Sequence, residues 1–421
     1  MSNLKAVNES FTLIGEALIN KDVTKYIKDE PQGKNGWMKK SINLGVKVAE
    51  TNRIYVGNEA GYWSDATVKA TKDLTGKDER GKAKKKENFV YNGENNDKGE
   101  WIADNIAFAD RFSKEALEKV PYYKKIRVAL EPQVVETNDD SGEFVKEVKK
   151  DVDGNIMYKE VEFLFIGDAI DYIKEHLKVG QRIYVSGQTE INQYVNQHDN
   201  KLKTVLNKRI QQIRIAKDSE ENEATGITNF YFDKDSLDKS EFKKDKKYYI
   251  QGYRTFKDDK KEIIPVPIGY ILDCSSPTVD WESEEIKSRV EYLLDVFESA
   301  KKDTVYSTSW RYLIFEGNAE QELTAKDLSK DLQKRVKLGF ITLEKAIQQM
   351  RGSSLGDKIK EEKLVMPVGE FDRVEMEDYT TDDLIPPAIE EQKVDKIDSS
   401  SDKKEEKPPV DVTKKFDAMF K

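Results

Sequence analysis

The stretch Lys178–Ile215, KVGQRIYVSGQTEINQYVNQHDNKLKTVLNKRIQQIRI, decides the fold. A helix-like run, Asp168 to Leu177, precedes it and stops at Gly180. Arg182 to Ser186 alternates as a strand, Gly187 marks a bend, and the strand resumes through Ile191 to Tyr194. The polar loop Asn196–Asn200 leads into further strand ending at Ile213 and Ile215. A glycine inside a strand marks a sharp bend or a close approach by another backbone, which a Cβ would block. Helix, glycine, kinked strand and long hairpin together predict a small, strongly bent β-barrel.

Three upstream pieces fit the same barrel. Phe11-Thr12-Leu13-Ile14-Gly15 reads as an opening strand and Ser41–Val48 as a second. Val161–Gly167 reads as a third, running into the helix Asp168–Ile173. In this order the four pieces resemble the OB-fold single-stranded DNA-binding proteins of bacteria and phages. The resemblance covers roughly Phe11 to Ala216, except for residues 57–158, which have no counterpart in the small family members. It implies an enlarged, phage-type member that is no enzyme and needs no cofactor. Such a protein coats and protects single-stranded DNA during replication, recombination and repair, by aromatic stacking and phosphate neutralisation without sequence specificity.

The fold class expected is mainly β with α: an OB-fold five-stranded β-barrel carrying a large insertion, then a smaller α+β module and a disordered acidic tail. The domains expected are 1–220 (insertion 57–158), 225–351 and 352–421. In the second module Ile227–Phe232 and Lys246–Gly252 faintly repeat Val161–Phe165 and Arg182–Gly187. This admits a degenerate second OB-like barrel or an unrelated small sheet. Ile286, Val290, Leu293, Leu294 and Phe297 recur at helical spacing, predicting a helix over 284–302. Thr324 and Asp327 resemble a capping box for a helix ending near Leu338. After 352 the composition is too polar to bury enough surface against chain entropy.

Charge supports the binding class once its distribution is read. The net charge is −9, but residues 361–421 hold eighteen acidic against ten basic residues, so the body is near neutral. Lys69–Lys86 holds eight basic and three acidic residues. One cysteine, Cys274, excludes an intramolecular disulfide and points to a reducing, cytoplasmic compartment, the host cytoplasm if the protein is phage-encoded. No apolar run approaches the roughly 20 residues that span a bilayer. Two histidines and one cysteine cannot build the usual zinc site. Gly76–Ala83 has phosphate-loop spacing, but Ala83 stands where Ser or Thr must ligate magnesium and no strand precedes it.

Bases stack on aromatic faces while cations track phosphates. The stacking candidates are Tyr194, Tyr184, Trp37, Tyr55, Tyr62 and Trp63. Tyr194 leads because the resembled family carries a stacking aromatic at that position; Tyr184 is open to pointing into the barrel. The phosphate candidates are Lys39, Lys40, Arg53, Lys82, Lys84, Lys85, Lys86, Lys201, Lys203, Lys208, Arg209 and Arg214. Tyr379–Pro387 resembles the family's acidic tip, which recruits replication and recombination proteins. That resemblance implies a docking role for Asp382, Asp383, Leu384, Ile385 and Pro386, although the tip is internal here. The terminal Phe416 and Phe420 form a second docking candidate. Two other classes remain: an accessory factor acting through protein contacts, and a metal-dependent nuclease built from scattered carboxylates.

Overall fold

Alternating burial along Glu9–Leu18 (β1) sets the architecture, because Ser10 to Ile14 are paired on both edges. In the computed structural model the described residues are 4–386, except 20–25, 32–36, 64–68, 71–84, 87–88, 92–93, 96–100, 104–105, 139–143, 196–201, 258–261, 277–278, 319–329, 339, 344 and 347–357. Lys82, Lys84, Lys201, Phe416 and Phe420 lie outside them, and of Trp63, Lys85 and Lys86 only the strand placement is described.

The first barrel is β1, β2 (Trp37–Lys47), β3 (Arg53–Trp63), β4 (Ile126–Pro132), β5 (Tyr158–Phe163), helix α1 (Ile166–His176), β6 (Arg182–Val195) and β7 (Leu202–Ile215). Five of these strands close a ring of OB type in the order β1-β2-β3-β7-β6. At the β3–β7 join a side chain stands in for the ladder. Asn58 Nδ2 donates to Ile210 O at 2.7 Å, and its Oδ1 accepts from Ile210 N at 2.8 Å. The amide thus does what a neighbouring peptide would do. Beyond this point β4 runs parallel to β7, pairing Arg127 with Gln212, and β5 pairs with β4. Helix α1 buries Ala169, Ile170 and Ile173 against the barrel end. The sequence placed its start two residues late.

The bend read at Gly187 is present. The β6–β7 ladder shifts register between Ser186 and Gly187, and a Cβ at Gly187 would stand 1.8 Å from Arg209 O. Only glycine fits there.

The second ring is β8 (Glu223–Phe232), β9 (Lys247–Lys257), β10 (Ile263–Asp273), helix α2 (Glu284–Glu298), β11 (Tyr306–Asn318) and β12 (Lys358–Pro367). Its strands run round as β8-β9-β10-β12-β11 and close where β11 pairs with β8. The plan matches the first ring strand for strand, with the helix entering before the fourth strand. Two details of the sequence reading change. Ile227–Phe232 occupies the place of β1, not of Val161–Phe165, since it opens the ring and pairs with β1 itself. Order also does not fade at 352: β12 pairs with β11 from Lys358 to Pro367, and residues through Pro386 are described. Among the described residues, no helix is long and apolar enough to cross a membrane.

Candidate nucleic-acid interface

In the first ring, burial alternates along β2 and β3 and leaves Lys39, Asn43, Arg53, Tyr55, Glu59 and Gly61 on the outer face. Two aromatic rings lie flat there, each across a glycine of the neighbouring strand. A Cβ at Gly61 would meet Trp37 Cζ2 at 2.1 Å, and one at Gly45 would meet Tyr55 Cε1 at 3.2 Å. The missing side chains seat the rings against the sheet. Tyr55 stays 55% exposed, with one face open. A seated ring loses little conformational freedom when a base stacks on it, so more of the stacking energy is kept.

The β6–β7 hairpin extends this surface. Tyr184 sits between buried Ile183 and Val185 and faces outward, not into the barrel. Its ring is covered by the Arg214 guanidinium 4.0 Å from the centroid. Tyr194 is 52% exposed near the hairpin end, opposite Lys203.

The cations divide by what neutralises them. Lys208 is buried and bonded to Glu316 at 2.6 Å. An enclosed pair of this kind costs about 3–5 kcal/mol to break, which opposes the phosphate contact expected of Lys208. Lys40 is held by Asp171 at 2.7 Å and by Asp29 at 3.4 Å, with its side chain 12% exposed. Arg214 is committed to Glu220 at 2.5 Å, which holds the Glu220 carboxyl below its usual range. Arg209 bonds Glu190 at 2.8 Å and stands 3.8 Å from Glu59. Lys39 also meets Glu59, at 2.8 Å, but both side chains remain nearly half exposed. Exposed pairs are worth about 0–1 kcal/mol, so Lys39 is free to exchange its carboxylate for a phosphate. Arg53 is exposed and makes no ion pair among the described residues. Lys203 lies exposed beside Tyr194.

Tyr62 is engaged by its neighbours. Its hydroxyl donates to Asp29 at 2.7 Å and its ring packs edge-on against Phe165 at 6.1 Å. Burial, helped by that carboxylate, pushes its pKa up to about 12. Trp63 stands opposite Trp37 in the β2–β3 ladder.

The acidic tip is folded onto its own domain. Leu384 and Tyr379 are both buried, in one apolar cluster with Leu4, Tyr231 and Val305. Asp382 and Asp383 lie in a single 3-10 turn that Thr380 caps. Ile385 is exposed, but the hydrophobic residue a partner would grip at 384 is already occupied.

Sequence reasoning missed a second aromatic group. Phe112, Tyr122 and Tyr123 are more than half exposed in the segment before β4. The run Pro121-Tyr-Tyr-Lys-Lys-Ile-Arg127 was the signal. Among the described residues, no group of three or more His, Cys, Asp or Glu stands placed to hold a metal ion.

No family model matches the sequence, and no curated protein matches it. Two crystal structures of the single-stranded DNA binding protein from Thermus aquaticus align with the chain. The wild-type structure has 11% identity and a TM-score of 0.27, covering 74% of this chain and 87% of that one. A deletion mutant has 11% identity and a TM-score of 0.25, covering 73% and 86%.

Proposed function

We propose that the outer face of the first barrel binds single-stranded DNA without sequence preference and coats exposed strands during replication and recombination. The observation that carries this reading is the pair of rings, Trp37 and Tyr55, seated across Gly61 and Gly45. OB barrels bind oligonucleotides on this second-and-third-strand face and on the hairpin between the last two strands. Tyr194 supplies an aromatic on that hairpin. Arg53, Lys39 and Lys203 are the cations placed to follow the phosphates, and Lys40, Lys208 and Arg214 serve the fold.

The test is a titration of fluorescent oligo-dT at low salt, with duplex DNA and oligo-U as competitors. Tyr55→Ala and Trp37→Ala should each weaken binding about 5- to 150-fold, the value of one lost stack. Melting temperature should change little. Wild-type protein that ignores oligo-dT, or a double variant that binds it unchanged, would discard this face.

A further inference from the structure

Residues 108–127 lie within the insertion and lead into β4. Their fold rests on a small apolar core, one aromatic pair and one ion pair. Ser113 caps the helix Lys114–Lys119, and Ile106, Ala116 and Val120 form a small core with Leu164. Phe108 packs edge-on against Phe165 at 5.1 Å, and Arg111 Nε bonds Asp168 of α1 at 2.7 Å. None of these anchors involves Phe112, Tyr122 or Tyr123, which remain 59%, 53% and 65% exposed.

Single exposed aromatics need no explanation, but three within twelve residues make a patch. Each also has a cation at its face. Arg111 stands 4.3 Å from the Phe112 centroid, Arg127 stands 3.9 Å from that of Tyr122, and Lys124 stands 5.9 Å from that of Tyr123. Arg127, like Arg53, stands apart from the ion-paired cations of the barrel. It donates to the Tyr122 hydroxyl, its Nε is enclosed without a hydrogen bond, and no carboxylate among the described residues pairs with it. Residues 108–127 hold six basic and three acidic residues.

The patch is continuous with the barrel surface. Arg127 pairs with Gln212 on β7, and Gln212 pairs with Ser186 on β6, next to the stacked Tyr184 and Arg214.

We infer that this segment is a second stacking station for single-stranded nucleic acid, resting on the reading of the barrel face above. Unstacked bases lie on Tyr122, Tyr123 and Phe112, and the Arg127 guanidinium neutralises a phosphate of the same strand. The insertion thereby lengthens the binding site beyond the barrel.

The experiment compares a short oligo-dT of about 8 nucleotides with one of about 35, lengths chosen around the range one OB fold occupies. The variant Phe112→Ala/Tyr122→Ala/Tyr123→Ala should bind the short oligonucleotide like wild type. It should bind the long one at least tenfold more weakly, with a shorter occluded length. Arg127→Gln, which leaves the rings in place, should lower the salt slope for the long oligonucleotide by about one. It carries the test if the triple variant melts early. Wild-type affinity and salt slope at both lengths would overturn the inference and leave the barrel reading standing, pointing the patch at a protein partner. Equal loss at both lengths would overturn it as well, since the segment would then only shape the barrel face. Wild-type protein that binds neither length would end both readings.

Discussion

The two rings share a strand order and differ in what lies over the second and third strands. In the first, Trp37 and Tyr55 lie across glycines among Lys39, Arg53 and Glu59, and Tyr55 meets solvent. In the second, Tyr253 and Ile263 occupy that face, with Leu4, Met376, Tyr379 and Leu384 packed in the same cluster. Their interiors differ too. The first is aliphatic, with Leu13, Leu44, Val46, Ile54, Ile183, Val185 and Ile213 fully enclosed. The second is aromatic and polar: Phe230, Tyr270, Trp310 and Tyr312 are fully enclosed, as is Arg254, which bonds Glu9 of β1 at 2.7 Å. One sheet plan can therefore be a docking floor for its own chain or an open platform. The difference rests on apolar residues that invite cover against flat rings flanked by charge.

Removing the cover is the strongest way to break this comparison. Leu384→Ala deletes a buried side chain and should cost about 2–5 kcal/mol of stability in urea denaturation. Oligo-dT affinity at the first barrel should stay within about twofold. A parallel loss of affinity would show that the two faces are coupled, and the contrast between open and covered would fail.

The polar interior of the second ring predicts a pH dependence. The carboxylate of Glu362 on β12 has an enclosed Oε2 without a partner. Desolvation, then the nearby Glu9 carboxylate, pushes its pKa from 4.5 up to about 8. Lys208, Arg254 and Glu316 also act on it, the two cations pulling the other way. The folded state then holds a proton that the unfolded chain releases. The stability this group contributes is full below pH 4.5, falls as pH rises to about 8, and is flat above. Glu362→Gln should remove that slope from the denaturation midpoint. A wild-type-minus-variant curve that is flat across the window would place the charge elsewhere.

The barrel was legible in the sequence wherever a local rule decides. Gly187 must be glycine because Arg209 O passes close by. The α2 stripe and the β6–β7 hairpin repeat at their own periods. What escaped is set by contacts distant along the chain. Nothing near Lys208 announces Glu316, 108 residues on, and nothing near Lys40 announces Asp171, 131 residues on. β12 reads as KIKEEKLVMP and looked like tail, because an inward position carries Glu362 where a hydrophobic residue is expected. Leu384 looked like a docking tip because its pocket is built from Leu4, Tyr231 and Val305, three separate parts of the chain. At the candidate site the aromatics were readable by residue type, but their faces were not: the sequence leaves Tyr184 open to pointing into the barrel, and it faces outward. Which cations were free was not readable either, since that depends on folded carboxylate partners.

The finest distinction concerns charge on the open face. Lys39 and Glu59 are paired at 2.8 Å with both side chains nearly half exposed, so the pair contributes about 0–1 kcal/mol to folding. Lys39→Ala should leave the melting temperature almost unchanged. On DNA the same residue should count as one phosphate contact. The slope of log affinity against log salt should shrink by about one, and by a similar amount for every oligonucleotide sequence. Arg209 is the internal control: its side chain is 22% exposed and bonded to Glu190, so Arg209→Ala should change the slope less. Equal slope changes for the two variants would mean that ion pairing in the free protein does not select the phosphate-binding cations. The division between structural and binding charges would then fail.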